Sequence, residues 1–386
     1  MNYEMTDEQT MLLDSLRAFV ETEILPHEEI ADEAAEVPPE IGERIKDRAI
    51  EMGFFAANLP ESAGGGGLDY STLGLIEREL GKVSYALGAF IARPTELLLA
   101  CEGEQIEKYL ATCVSGEKHE CFALTEPGAG SDIMAMTTKA VADGDDYIIN
   151  GSKHFISTPV LPDFAIVFAI TGVDASPRGE RKRLSAFLVD RDHKGFDMQL
   201  GPICTSQRAY RTYELRFDDC RVNKSQMLGE EGKGLDLANK WLHMGRVWVA
   251  AQSCGKMERL LDLASDWAVT RKQFGKSIGK FQGTSFKIAD IATDLHASDL
   301  MLMYACNRAD KGMMTSDDAA MAKLFASEAL GRAADNTVQI FGGMGLMHGL
   351  PVERLWRDAR IDRIWDGTSE IQRHIIGRSQ LRPYES

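Results

Sequence analysis

The stretch Phe164-Ala-Ile-Val-Phe-Ala-Ile170 is short, apolar and rich in β-branched and aromatic residues, which reads as a strand. Tyr147-Ile-Ile149, Leu184-Ser-Ala-Phe-Leu-Val189 and Tyr213-Glu-Leu-Arg-Phe217 have the same character. Turn residues such as Asp143-Gly144-Asp145 and Asn150-Gly151 separate these runs. No long helical segment lies between them. An antiparallel sheet or barrel therefore fits better than a βαβ array.

Outward from this β region the pattern turns helical on both sides. Thr6-Asp7-Glu8-Gln9 is a capping-box pattern ahead of Met11, Leu12, Leu16, Phe19 and Val20, which recur at helical spacing. Pro26 is expected to end that helix. A second helix is expected around Ile41–Met52, a loop at Pro60–Gly67, and helices over Leu73–Leu87 and Thr95–Leu110. From Gly234 onward helical periodicity returns, interrupted at Gly275, Gly279 and Gly283 and again at Gly342, Gly343 and Gly345. The reading divides the chain into a helical domain (1–120), a β domain (121–232) and a helical domain (233–386).

Length and composition agree with a folded multidomain chain. Its 386 residues are 44% apolar and 26% charged, with a formal charge of −16. That charge argues against non-specific binding to nucleic acid or anionic membranes. The seven cysteines are scattered without a C-x-x-C, so neither a disulfide framework nor a cysteine zinc site is expected. The N-terminus is acidic with no apolar leader segment, and no run approaches the ~18 residues of a membrane span. A cytoplasmic protein with no metal is expected.

Several common chemistries lack their motifs. There is no G-x-S-x-G, no H-E-x-x-H, no complete G-x-G-x-x-G after a strand and no phosphate-binding P-loop. Four other stretches carry functional character. Thr125-Glu-Pro-Gly-Ala-Gly-Ser-Asp132 combines a fixed φ, two glycines and two hydroxyls; it fits a tight turn, or a loop presenting backbone N–H groups to a polar ligand. Trp365-Asp366-Gly367-Thr368-Ser369-Glu370-Ile371-Gln372-Arg373 places Asp366 just before a helix capped by Thr368, where it is a plain turn residue or reaches into a cleft. Arg271-Lys-Gln-Phe-Gly-Lys276 with Phe281-Gln282, and Gln339-Ile-Phe-Gly-Gly343, suit a pyrophosphate-bearing ligand or a solvated face.

In this order and at these separations the four stretches resemble the acyl-CoA dehydrogenase flavoprotein family, across residues 5 to 382. The resemblance implies an α+β architecture: an N-terminal helical domain, a middle antiparallel β-barrel domain and a C-terminal four-helix bundle. It implies FAD as cofactor, acyl-CoA as substrate, electron-transferring flavoprotein as acceptor, and a homotetramer built as a dimer of dimers. Carried over by position, Phe122, Leu124, Thr125, Gly130 and Ser131 line the flavin, and Phe155, Ile156 and Ser157 pack beside its ring. Arg271, Gln273, Phe274, Gln282, Gln339, Ile340, Gly342 and Gly343 bind the rest of FAD, in part from a neighbouring subunit. Thr368 and Glu370 also touch it. Ser131, Arg246 and Gly367 meet the substrate.

The resemblance further implies that a base removes the substrate α-proton while the β-hydride leaves for the flavin. The family's straight-chain members carry Glu at the position of Asp366. Asp reaches about 1.5 Å less, one C–C bond. Other branches place the base just before the arginine matching Arg246, and that position here is Gly245. Asp366 is therefore the expected catalytic base, with a cyclic, branched or polar-substituted acyl group. Thr158 stands where the family usually has Asn, and Trp365 where it often has Tyr. Glu96 is an alternative base, and Arg93 could pair with a carboxylate on the acyl tail. Also open at this level are an enoyl-CoA reductase, an acyl-CoA oxidase and a catalytically silent acyl-CoA-binding flavoprotein of the same fold.

Overall fold

A computed structural model describes residues 4–91, 94–176 and 179–384; Arg93 lies outside the described residues. Thr6 opens α1 (Asp7–Phe19) with the expected capping box: its hydroxyl accepts the Gln9 N–H and its own N–H donates to the Gln9 side chain. The helix tightens and ends around Leu25–His27, at Pro26. Then follow α2 (Glu28–Ala34), α3 (Pro39–Glu51), α4 (Tyr70–Leu80), α5 (Tyr85–Gly88) and α6 (Thr112–Val114).

The two helices expected over Leu73–Leu87 and Thr95–Leu110 are broken in the structure. α4 stops before Gly81, where a β-carbon would stand 2.5 Å from the Gln252 carbonyl oxygen on another helix. The second stretch divides into a tight turn at Glu96–Ala100 and a wide one at Ile106–Ala111, parted by Gly103 in the left-handed region. Periodic apolar residues reported burial here, not helix continuity.

The β domain is one curled sheet of β1 (Glu120–Ala123), β2 (Lys139–Asp143), β3 (Asp146–Thr158), β4 (Phe164–Ser176), β5 (Gly179–Asp190), β6 (Phe196–Leu200), β7 (Arg211–Asn223) and β8 (Met227–Leu228). The order is β6-β7-β3-β2-β4-β5-β8, with β1 also on β4. Most pairs are antiparallel, as expected. β4 departs from that pattern by pairing parallel with β1 and, at one residue, with β2. The long connection through β2 and β3 gives the chain room to return in the same direction. Asp143–Asp146 forms the expected hairpin turn. Asn150-Gly151 does not: it lies inside β3 at a shift in register, where Gly151 has φ of 148° and a β-carbon would stand 2.4 Å from Thr138 Oγ1.

The apolar run of β4 is continuous because both faces are covered. Phe164, Ile166, Phe168 and Ile170 pack with Leu97, Leu98, Tyr109 and Leu110 of the first domain. Ala165, Val167 and Ala169 face the inside of the curled sheet, with Ile149, Phe187 and Phe217.

The last domain is built on α7 (Gly234–Thr270), a small hairpin of β9 (Lys272–Gln273) and β10 (Lys276–Ser277), α8 (Gln282–Asp310), α9 (Ser316–Phe341), α10 (Pro351–Asp358) and α11 (Ser369–Leu381). α7, α8 and α9 pack on one another through Val247, Cys254, Leu302, Ala326 and Leu330, and α11 lies on α9. Buried charge ties the domains together. Glu28 on α2 accepts from Arg259 at 2.8 Å and from Arg354 at 2.6 Å. Arg78 on α4 holds Asp299 at 2.7 Å and also pairs with Glu258. Among the described residues no helix is long and apolar enough to cross a membrane.

Candidate active site

The three domains meet around a cavity of about 630 Å³. The first domain contributes Tyr70, Tyr85, Glu96 and Leu97 to its wall. The β domain contributes Glu120, Phe122, Ser157, Thr158 and Tyr210, and α7 contributes Trp241, Met244, Gly245 and Trp248. Trp365 and Asp366 close it from the segment before α11.

Local sequence explains how Asp366 arrives there. α10 is followed by a tight turn at Ile361–Arg363, and Asp366 and Gly367 then adopt φ of 51° and 92°. Glycine takes that conformation freely; Asp is one of the few other residues that tolerate it. Thr368 caps α11 by accepting the Ile371 N–H at 3.3 Å, as its sequence predicted. The Gly367 carbonyl accepts two side-chain donors, Lys323 Nζ and Gln372 Nε2, both at 2.8 Å. The turn is thereby fixed from α9 and from α11.

The Asp366 carboxyl lies over Gly245 of α7: a β-carbon there would stand 3.2 Å from Oδ2. Burial pushes the carboxyl above the usual aspartate range, while Lys323 and Arg246 oppose the rise and Asp362 adds to it. A second wall carboxyl, Glu120, is also raised by burial, although it accepts the Thr95 N–H at 2.6 Å. Tyr85 packs edge-on against Trp365 (5.1 Å) and Tyr210 (4.7 Å), and its hydroxyl is hydrogen-bonded to that of Tyr210. An acid–base group with raised proton affinity, set in an aromatic, water-poor wall, is equipped to take a proton from a weakly acidic carbon.

The other expected residues fall into three places. Phe122 and Ser157 line the cavity; Phe122 stacks on Trp241 at 4.2 Å and Ser157 shares a hydrogen bond with Thr212. Beside them runs the Thr125–Asp132 loop. Leu124 and Ile156 are buried, Gly130 and Ser131 are exposed, and Phe155 projects to solvent from a left-handed backbone. A buried ion pair fixes this loop: Lys153 Nζ meets Glu126 at 3.0 Å and donates to the Leu124 carbonyl at 3.0 Å. Glu126 also accepts from Thr137 and Thr138.

The third place is the far end of the helical domain. Arg271, Gln273, Phe274 and Gln282 are exposed on the hairpin and on either side of it, Phe274 being 93% exposed. Gln339, Gly342 and Gly343 are exposed at the end of α9, while Ile340 is buried against Ala264 and Ala268. Trp267 joins the two stretches: Phe341 stacks on it at 4.7 Å and the Arg271 guanidinium lies 6.0 Å from its ring. None of these residues lines the cavity. Thr368 and Glu370 start α11, with Glu370 exposed. Arg246 is buried on α7 beside Gly245, and its Nε has no hydrogen-bond partner.

These places suit a dinucleotide. A β-carbon on Gly128, Gly130, Gly342 or Gly343 would meet no atom within 4 Å, so each backbone faces open space that phosphate or ring atoms can approach. Tyr85, Glu120, Tyr210, Trp248 and Lys323 were not found by sequence reasoning. No local motif marks them; each acts through an element distant in sequence.

This architecture and site define a class of three-domain oxidoreductases, and comparison with known proteins agrees. Residues 6–117, 121–220 and 232–381 match the N-terminal, middle and C-terminal domains of acyl-CoA dehydrogenase. A caffeyl-CoA reductase–Etf complex subunit of Acetobacterium woodii is 38% identical over 98% of this chain and 99% of its own. The structure of butyryl-CoA dehydrogenase from Megasphaera elsdenii superposes with a TM-score of 0.89 at 34% identity, covering 99% of this chain and 100% of that one. An acyl-CoA dehydrogenase complexed with FAD from Bacillus anthracis gives a TM-score of 0.88 at 28% identity, covering 99% of this chain and 67% of that one. The chain belongs to the acyl-CoA dehydrogenase family. Its activity is that of an oxidoreductase acting on the CH–CH bond of an acyl-CoA thioester, in a family of FAD flavoproteins.

Proposed function

We propose that the protein desaturates an acyl-CoA thioester at its α,β bond, with Asp366 as the base that takes the α-proton. The observation that carries this reading is the Asp366 carboxyl, raised in proton affinity and held over Gly245 in the cavity wall. FAD, when bound, supplies the acceptor for the β-hydride. Phe122, Ser157 and the Thr125–Ser131 loop hold its ring, with Leu124, Phe155 and Ile156 shaping that side. Arg271, Gln273, Phe274, Gln282, Gln339, Ile340, Gly342 and Gly343 are set at the opposite end, where a second subunit can share them. Thr368 and Glu370 complete its site; Ser131, Arg246 and Gly367 meet the thioester. Packing of Asp366 against Gly245 leaves the shorter carboxylate within the wall, so the substrate comes to it. Electrons pass to an electron-transferring flavoprotein, as the name of the Acetobacterium relative supports. A homotetramer and a reducing, cytoplasmic setting fit the exposed Phe274 and the seven free thiols.

A second reading has one specific observation behind it. The rings of Tyr70, Tyr85, Tyr210, Trp248 and Trp365 stand among the aromatic residues of the cavity wall, and flat rings pack well on such a surface. With the caffeyl-CoA reductase relative, this supports an aryl-substituted acyl group handled in the reductive direction.

The experiment is anaerobic flavin absorbance of the FAD-loaded protein against butyryl-, isobutyryl-, cyclohexanecarbonyl-, glutaryl- and 3-phenylpropionyl-CoA. Bleaching by one class establishes desaturation and its substrate. No bleaching by any, with dithionite-reduced protein reoxidised by cinnamoyl-CoA, selects the reductive reading. Neither response defeats both.

A further inference from the structure

We propose that Lys323 is a positioning residue for Asp366: from α9 its ammonium holds the Gly367 carbonyl, fixes the left-handed Asp366–Gly367 turn and sets a positive charge opposite the base. The proposal rests on the reading of Asp366 as base and assigns a part of that site outside the cavity.

Lys323 is fully buried in a helix face made mostly of small and apolar residues, Ala319, Ala326, Ser327 and Leu330 among them. A buried ammonium is costly unless it is paired, and Lys323 Nζ donates to the Gly367 carbonyl at 2.8 Å. The charged groups around it are Asp366, Asp362, Arg246 and Glu328. Two of the acids are already engaged. Asp362 meets Lys256 at 2.7 Å, and Glu328 lies 3.5 Å from Arg363 and 3.6 Å from Arg373. Asp366 is the acid left for Lys323 to balance.

Around Asp366 itself, Lys323 faces it from α9, Arg246 from α7, Asp362 from the preceding turn and the Tyr210 hydroxyl from the β domain. Burial alone favours a protonated, non-basic aspartate; the two cations counter it. Burial in turn pulls Lys323 down to about 8, so its charge is itself lost in mildly alkaline solution. Gln372 shares the Gly367 carbonyl at 2.8 Å, so part of the turn's geometry survives without Lys323 and its electrostatic role can be separated.

The test uses FAD-loaded Lys323→Gln, Lys323→Met and Lys323→Arg, each shown folded by its melting curve, with Asp366→Ala as reference. The rate of anaerobic flavin reduction is followed against pH. The protonated-carboxyl infrared band that Asp366→Ala removes is titrated in parallel. Lys323→Gln, which keeps a donor but no charge, is expected to move both the acid limb and the infrared titration up by about one pH unit. Lys323→Met is expected to do the same and to lose about tenfold more in plateau rate, because the turn is also freed. Lys323→Arg restores the position of the limb. An acid limb and infrared titration unmoved in both neutral variants overturn the proposal, whatever happens to the rate. If Asp366→Ala itself reduces flavin at the wild-type rate, the base assignment fails and this proposal with it; a dead Asp366→Ala with an unmoved limb defeats Lys323 alone.

Discussion

Gly245 and Asp366 share one space: a β-carbon on Gly245 would lie 3.2 Å from Asp366 Oδ2 and 3.5 Å from its Cγ. The helix that carries a base in other branches of the resembled family here gives up its side chain, and the carboxyl of the last domain rests against the bare backbone. The shorter Asp fits because α7 is empty at that point.

Gly245→Ala therefore displaces the proposed base, Asp366, without removing it. The flavin-reduction rate is expected to fall about tenfold to 100-fold, the scale of a misplacement of roughly 1 Å, while FAD content and melting temperature stay near wild type. Stopped-flow reduction of the purified holoprotein measures it. An unchanged rate would show that Asp366 has room to spare.

The Lys153–Glu126 pair anchors the Thr125–Asp132 loop, which the proposed function sets against FAD. Lys153→Met strands Glu126 in a buried site, at a cost of about 3–5 kcal/mol, and is expected to lower FAD retention on gel filtration. Lys153 and Thr138 hold the Glu126 carboxylate at about 2, below the usual glutamate range, against the effect of burial. Its folded pKa is depressed, so its stabilisation is complete above about pH 4.5 and drains away as pH falls towards 2. Glu126→Gln is expected to flatten that part of the melting-temperature profile.

Asp358 gives the opposite pH dependence. It is buried, accepts the Gln207 N–H at 2.6 Å, and burial raises it to about 6. A raised carboxyl contributes stability below its unfolded value of 3.8 that is lost as pH rises through about 6. Melting curves from pH 4 to 7 should show Asp358→Asn with less fall across that window than wild type. A parallel fall in both would contradict the shift.

α4 and α7 approach through Gly81 and Gly255, and a β-carbon on Gly255 would overlap the Arg78 carbonyl oxygen. Gly255→Ala is expected to destabilise by about 1–3 kcal/mol, as overpacking does. Urea unfolding with an unchanged m-value would report it as a loss of stability alone.

Much of this was legible in the chain. β4 could be read because both of its faces are covered, leaving an uninterrupted apolar run. β6 and β8 could not: β6 buries only Phe196 fully and β8 is two residues long. Asn150-Gly151 has turn chemistry, yet neighbouring Thr138 makes the glycine a bulge inside a strand. Asp366 was readable from Gly367 and Thr368, which shape its turn locally. Tyr85, Tyr210 and Lys323 were not, since each gains its role from an element far along the sequence. Lys323 in particular looks like an ordinary helical lysine until α11 is packed over it.

In the proposed reaction Asp366 takes the substrate proton. The most direct measurement is single-turnover flavin reduction in Asp366→Ala, loaded with FAD and mixed anaerobically with the best acyl-CoA of the panel. A yellow, folded protein is expected that still binds the thioester but reduces its flavin at least about 100-fold more slowly, general-base catalysis being worth about 10²–10⁴-fold. Reduction at the wild-type rate would contradict it and move the search to Glu120 and Glu96 on the other wall of the cavity.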